Sequence, residues 1–101
     1  MANVAEIAAV DGVTDIFLGP ADLARDLDGG GGEIFSDSVM KALISLPKEA
    51  KSNAVKFGLF VDGASRAHAA YAAGYSLIAI GTDSVFLREG AQEKIAELRL
   101  P

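Results

Sequence analysis

The sequence predicts an α/β protein in which three parallel strands alternate with helices, and two observations support this prediction. First, three apolar runs of strand length stand out, at Asp15–Gly19, Lys56–Val61 and Ser76–Gly81, and none of them alternates apolar with polar residues. Continuous runs of this kind are typical of parallel strands that are covered on both faces. Second, helical patterns separate the runs, and such alternation indicates right-handed βαβ units.

The helical patterns begin before the first strand. Val4–Val10 is typical of the last turns of a helix that ends near Asp11–Gly12, and a short helix is expected after the first strand. The next stretch, Ser36–Asn53, places its apolar side chains near one side, with Ser36 or Asp37 as a plausible N-cap. Pro47 lies inside this stretch, and we expect it to end or kink the helix.

Two further helices follow the second and third strands. Ala64–Ala73 is rich in alanine and precedes Gly74, a residue type that commonly ends helices. Ser84–Leu98 carries apolar residues at helical spacing, and its interior Gly90 costs about 1 kcal/mol of helix stability. The predicted order is therefore helix, strand, short helix, helix, strand, helix, strand, helix.

This pattern leaves one sheet face without cover. Three parallel strands with helices on one side expose apolar side chains on the other side, which is unfavourable for an isolated protein. A portion of a (β/α)₈ barrel has this property, because its inner face is filled only when all eight strands close. We therefore predict that residues 1–101 form a partial TIM barrel, the last three βα units, since a complete barrel needs about 250 residues.

Composition limits the possible functions. With 101 residues the chain fits one small domain, and its net charge of −5 argues against nucleic acid as a partner. It contains no cysteine, so disulfides and thiolate metal sites are excluded. No apolar run approaches the ~18 residues of a membrane helix, and the first residues do not resemble a signal peptide. We expect a cytoplasmic protein that handles small molecules, with no membrane partner.

An aspartate follows each predicted strand, namely Asp22, Asp62 and Asp83. Strand ends of this kind are where α/β proteins build their sites, and three carboxylates there suit Mg²⁺ or a similar hard cation. The alternative is that each aspartate caps the helix behind it. We expect capping for Asp62 and Asp83. The residues alone leave Asp22 open, because the preceding Gly-Pro is unusual turn chemistry for a cap.

Other candidates are weaker. His68 is the only histidine, but it lies mid-helix, so a solvated or half-buried structural histidine is expected rather than a general base. There is no Gly-x-Ser-x-Gly elbow. The DGGGG stretch at 28–32 lacks phosphate-loop spacing and is expected to be a flexible loop, placed where it can cover a strand-end site. Surface roles are expected for Arg25 and Arg66.

The stretch VDGVTDIFLGPADL, Val10–Leu23, resembles the HpcH/HpaI family of metal-dependent pyruvate aldolases. The resemblance continues through KFGLFVD and AAYAAGYSLIAIGTDSVFL and covers nearly the whole chain. It implies a (β/α)₈ barrel that binds a divalent cation, typically Mg²⁺, Mn²⁺ or Co²⁺, and forms the enolate of pyruvate or another 2-oxo acid. It also implies that Asp22 is a metal ligand and that the backbone N–H of Ala21 binds the substrate carboxylate.

The resemblance also shows what is missing. The family's metal-binding glutamate, catalytic histidine and substrate-binding arginine have no match in this sequence. We therefore expect a truncated or split aldolase that is inactive alone. It would work with a complementary N-terminal half-barrel or as a homo-oligomer. The alternative is a catalytically dead α/β module that self-associates through its exposed sheet face.

Overall fold

A computed structural model describes residues 3–29, 33–50 and 54–99. Strands and helices alternate as the sequence predicts. In chain order the elements are α1 (Val4–Ala8), β1 (Asp15–Leu18), α2 (Pro20–Asp28), α3 (Asp37–Glu49), β2 (Lys56–Val61), α4 (Ala64–Ala73), β3 (Leu77–Ile80) and α5 (Asp83–Leu98). The predicted end of α3 at Asn53 lies outside the described residues. Within them, no helix is long and apolar enough to cross a membrane.

The three strands form one parallel sheet in the order β1–β2–β3. Ile16 is in register with Phe57, and Leu59 of the central strand lies between Leu18 and Ile78. Because residues in register share a face of a parallel sheet, these side chains lie on one side. The same register puts all three carboxyl ends of the strands at one edge.

The hydrophobic core lies between that side of the sheet and the helices. Leu59 and Val61 of β2 are almost completely buried, as are Leu43 and Leu46 of α3. The other buried core residues come from α1 to α4, from β2 and from the connections: Val4, Ala8, Leu23, Ala24, Val39, Ala50, Val55, Phe57, Ala70 and Tyr75. One layer of helices therefore covers one face of the sheet.

The opposite face is bare, as the partial-barrel prediction requires. Phe17, Gly58 and Leu77 lie side by side across the three strands on this face. Phe17 is 56% exposed and Leu77 is 63% exposed. A Cβ on Gly58 would lie only 2.8 Å from Cδ2 of Phe17 and 3.2 Å from Cβ of Leu77. Glycine at this position therefore lets the two apolar side chains meet over the central strand.

Pro47 does not end α3, which continues to Glu49. Proline has no N–H, so the carbonyl of Leu43, four residues earlier, lacks its usual helical donor. The hydroxyl of Tyr75 donates a hydrogen bond of 2.5 Å to that carbonyl instead. The Tyr75 ring is buried and packs edge-on against Phe57, with ring centroids 6.2 Å apart. A tertiary hydrogen bond thus replaces the missing helical one.

The last helix, α5, contributes no residue to the core. None of its residues, all of which the structure describes, is buried. Phe86 in its first turn approaches Gly81, where an added Cβ would lie 2.8 Å from the ring. Leu87, Ile95 and Leu98 remain exposed at helical spacing. Because α5 leaves the core, the molecule measures 60 Å along its longest axis but only 20 Å along its shortest.

Candidate functional site

The turn after β1 places Asp22 at the edge where the strands end. Gly19 is the N-cap of α2, and Pro20 occupies the first helical position, where its fixed φ favours helix initiation. Asp22 is therefore the third helical residue and does not occupy the N-cap. Its side chain is exposed and has no hydrogen-bond or ion-pair partner among the described residues. A free carboxylate at this edge is available to a ligand.

Ala21 lies between Pro20 and Asp22 in the first turn of the same helix. The first four N–H groups of a helix have no intrahelical acceptor, and Ala21 supplies one of them. The residue is exposed and directly precedes Asp22 in the chain. An anionic oxygen near the start of α2 would also interact favourably with the helix dipole.

Asp62 has a different role from the predicted one. The N-cap of α4 is Gly63, and Asp62 accepts a hydrogen bond of 2.8 Å from Nη1 of Arg66. The Arg66 guanidinium also lies 4.8 Å from the centre of the Phe35 ring, in cation–π geometry. The expectation that Asp62 caps α4 is therefore wrong. The spacing of four residues between Asp62 and Arg66 was the sequence signal for this pairing.

Asp83 is also not the cap of its helix. Thr82 is the N-cap of α5, and its hydroxyl accepts from the backbone N–H of Val85 at 3.3 Å. Asp83 lies in the first turn and accepts from the N–H of Ser84 at 2.8 Å. A threonine was available one residue earlier, and its hydroxyl reaches the third helical N–H more directly. Asp83 instead places a negative charge at the favourable end of the helix dipole.

The three strand-end aspartates do not form one metal site by themselves. Among the residues the structure describes, no group of three or more acidic, histidine or cysteine side chains is placed to hold a metal ion. Asp62 is already paired with Arg66. Of the three aspartates, only Asp22 has no hydrogen-bond or ion-pair partner among the described residues. Its carboxylate could supply part of a Mg²⁺ site, because Mg²⁺ is held by one or two carboxylates together with waters and substrate oxygens.

The remaining candidates lie apart from the strand ends or outside the described residues. His68 is exposed in the middle of α4, away from the strand ends. Asp28 ends α2 and accepts hydrogen bonds from the hydroxyls of Ser36 and Ser38, which join the end of α2 to the start of α3. The predicted cover over the site rests on glycines 30–32, which lie outside the described residues.

The architecture is that of a portion of a barrel-type α/β protein. It has parallel strands, an outer helix layer, a bare inner face and free polar groups at the strand ends. The profile of the HpcH/HpaI aldolase/citrate lyase family matches residues 1–89. The chain belongs to this family. A solved structure agrees: it is an HpcH/HpaI aldolase/citrate lyase family protein from Burkholderia cenocepacia, with a TM-score of 0.82 and 34% identity over 96% of this chain.

Similar curated proteins are named aldolases. A hydroxypyruvate/pyruvate aldolase of Rhizorhabdus wittichii is 30% identical over 98% of this chain, and a 5-keto-4-deoxy-D-glucarate aldolase of Escherichia fergusonii is 36% identical over 89% of it. The chain spans 40% of the first protein and 35% of the second. It also spans 37% of the Burkholderia chain. The match is thus to a part of a barrel, as the three βα units require.

Proposed function

We propose that this chain is the C-terminal part of a divalent-metal-dependent aldolase that cleaves or forms 4-hydroxy-2-oxo acids. The observation that carries the proposal is the Gly19–Asp22 turn, with its unpartnered carboxylate and an adjacent free N–H. Family membership supports the reaction class, and the names of similar proteins support a pyruvate or 2-oxo acid substrate.

Each of the two site residues has a chemical role in this proposal. Asp22 supplies one oxygen ligand for Mg²⁺, Mn²⁺ or Co²⁺, and the N–H of Ala21 donates to the carboxylate of the 2-oxo acid. When bound, the cation supplies positive charge that favours negative charge on the substrate oxygens. The chain's own groups thus bind and orient the substrate. Neither residue is a base that removes a proton from the substrate methyl group.

The missing groups point to a requirement for assembly. Enolate formation needs a proton acceptor and a fuller set of ligands than Asp22 provides. The bare sheet face also lacks the strands that would close the barrel. We therefore propose that the chain is inactive alone and works with a complementary N-terminal half-barrel that supplies both. The net charge of −5 is consistent with a site that attracts a cation.

The test follows exchange of the pyruvate methyl protons in D₂O by NMR, with Mg²⁺. The chain alone is expected to give only the metal-only rate. Adding the N-terminal portion of a related aldolase should raise the rate, and Asp22→Ala should then lower it roughly 100-fold, the size of effect seen when one electrostatic stabiliser is removed. Asp26→Ala is the matched control, because it removes the same charge from the exposed face of the same helix.

The outcomes separate the claims. If Asp22→Ala and Asp26→Ala exchange at the same raised rate, Asp22 is not a ligand. If the two portions associate in gel filtration but exchange stays at the metal-only rate, the aldolase proposal is wrong. Rapid exchange by the chain alone would contradict only the requirement for a partner.

The row formed by Phe17, Gly58 and Leu77 favours a second candidate, a catalytically dead module that self-associates through this face. A two-fold pair that stacks two such faces would bury apolar surface on both copies. The same face would receive the missing strands in the first proposal. The bare face can therefore either receive the missing strands or bind a second copy of the chain, but not both at once.

Under this second candidate, Leu77→Lys is expected to move the chain from dimer to monomer, because it places a charge on the apolar bare face. Analytical ultracentrifugation should show a species of twice 10.4 kDa for the unchanged chain and of 10.4 kDa for the variant. Tyr71→Lys is the control, since it changes a residue that is 75% exposed on α4, away from this face. A dimer that survives Leu77→Lys would show that another surface holds it.

A further inference from the structure

Gly19 occupies a position where the backbone does not require glycine. Its φ of −97° and ψ of 102° lie in the ordinary extended region that any residue adopts. It is also an N-cap, a position where serine, aspartate and asparagine are preferred over threonine and glycine. Helices α3 and α5 of this chain use Ser36 and Thr82 there, and both hydroxyls accept from the helix. Helix α4 instead has Gly63 as its N-cap, so the surroundings of the two glycines have to be compared.

The carboxylate of Asp22 limits the space beside Gly19. A Cβ at this position would lie 3.0 Å from Oδ2 of Asp22, closer than most real Cβ contacts, and 3.8 Å from its Cβ and Cγ. Oδ2 of Asp22 thus lies beside Gly19, the residue that follows β1, at the edge of the volume that a residue-19 side chain would fill.

We propose that Gly19 is a positioning residue for Asp22. By lacking a side chain, it leaves room for an Asp22 carboxylate oxygen beside the residue that follows β1. The orientation itself stands on the geometry of the turn. Its consequence for cation binding rests on the proposed function, in which Asp22 is a metal ligand.

The chain contains a matched control at Gly63. This glycine is the N-cap of α4, also follows a strand, and also has extended backbone, with φ −172° and ψ 170°. A Cβ added there would meet no described atom within 4 Å. Gly19→Ala and Gly63→Ala therefore make the same change at equivalent helix positions, but only the first change displaces a carboxylate.

The experiment measures two quantities on the full chain and on both variants. Titration with Mn²⁺, followed by electron paramagnetic resonance, gives the cation affinity, and three-bond Hα–Hβ couplings give the Asp22 χ1 rotamer. Gly19→Ala is expected to change the couplings and to weaken Mn²⁺ binding about 10–100-fold, as when a residue that orients a metal ligand is replaced. Gly63→Ala should leave both unchanged.

Gly19→Ser separates positioning from simple stability. Serine is a better N-cap than glycine, so the melting temperature should stay level or rise, while Mn²⁺ binding should fall as it does for Gly19→Ala. Unchanged couplings and unchanged affinity in both Gly19 variants would overturn the inference. If the unchanged chain alone binds no Mn²⁺, the affinities are compared after the N-terminal portion of a related aldolase is added. If Mn²⁺ binding is still absent, the proposed metal function is wrong, and the couplings alone decide whether Gly19 sets the Asp22 rotamer.

Discussion

Leu59→Ala is expected to lower the free energy of unfolding by about 2–5 kcal/mol, the usual cost of truncating a fully buried leucine. Leu59 is only 1% exposed. It lies on the central strand between Leu18 and Ile78, and its side chain faces the helices. Small domains have total stabilities near the lower end of about 5–15 kcal/mol. Urea unfolding followed by circular dichroism should therefore show a midpoint shifted strongly to lower urea.

The matched control is Leu77→Ala, the same change on the neighbouring strand. Leu77 is 63% exposed on the bare face, so its truncation should cost less than about 0.5 kcal/mol in the monomer. The measurement is made at low protein concentration, where self-association does not bury Leu77. Equal losses at the two positions would mean that both faces of the sheet are covered and that the barrel portion is described wrongly.

Tyr75→Phe is expected to cost about 1–3 kcal/mol, because it leaves a buried carbonyl without a donor. The carbonyl belongs to Leu43, whose helical donor is absent because residue 47 is proline. Burial raises the pKa of the Tyr75 hydroxyl above its usual value, so the hydroxyl stays protonated and donates. Chemical unfolding gives the cost, and Tyr71→Phe, on an exposed ring, should have almost no effect.

A double-mutant cycle tests the reason for this cost. Pro47→Ala restores an N–H four residues after Leu43, so Tyr75→Phe should be much less costly in the Pro47→Ala background. The two changes should therefore be non-additive by about 1 kcal/mol, in the range found for residues that share a partner. Additive costs would show that Tyr75 stabilises the chain only by packing against Phe57.

Local sequence patterns located most of the secondary structure. The run at 56–61 is β2 with the bounds predicted for it, because a continuous apolar run between polar turns leaves few alternatives. Ser36 caps α3, and Gly74 ends α4 with a φ of 110°, as their residue types indicate. The partial-barrel prediction is confirmed as well, since three parallel strands with one helix layer follow from the order of the elements.

The strand-end carboxylates were harder to predict. Capping by Asp62 and Asp83 was expected from their positions after strands. Instead, Asp62 forms an ion pair with an arginine one turn later, and a threonine one residue before Asp83 caps α5. Several nearby groups can pair with each carboxylate or cap each helix. The sequence pattern does not show which of these groups does so. The roles of Asp22 and Ala21 remain predictions that rest on the family and on the turn.

The sequence by itself determined the order of strands and helices, the parallel sheet and the family, because these depend on local periodicity and on the residues of one turn. Only the tertiary structure showed that Tyr75 compensates for Pro47, that α5 leaves the core, and that Asp22 occupies the space above Gly19. Each of these depends on atoms brought together by folding. Their distances follow from how the elements pack and are not encoded in the spacing of residues along the chain.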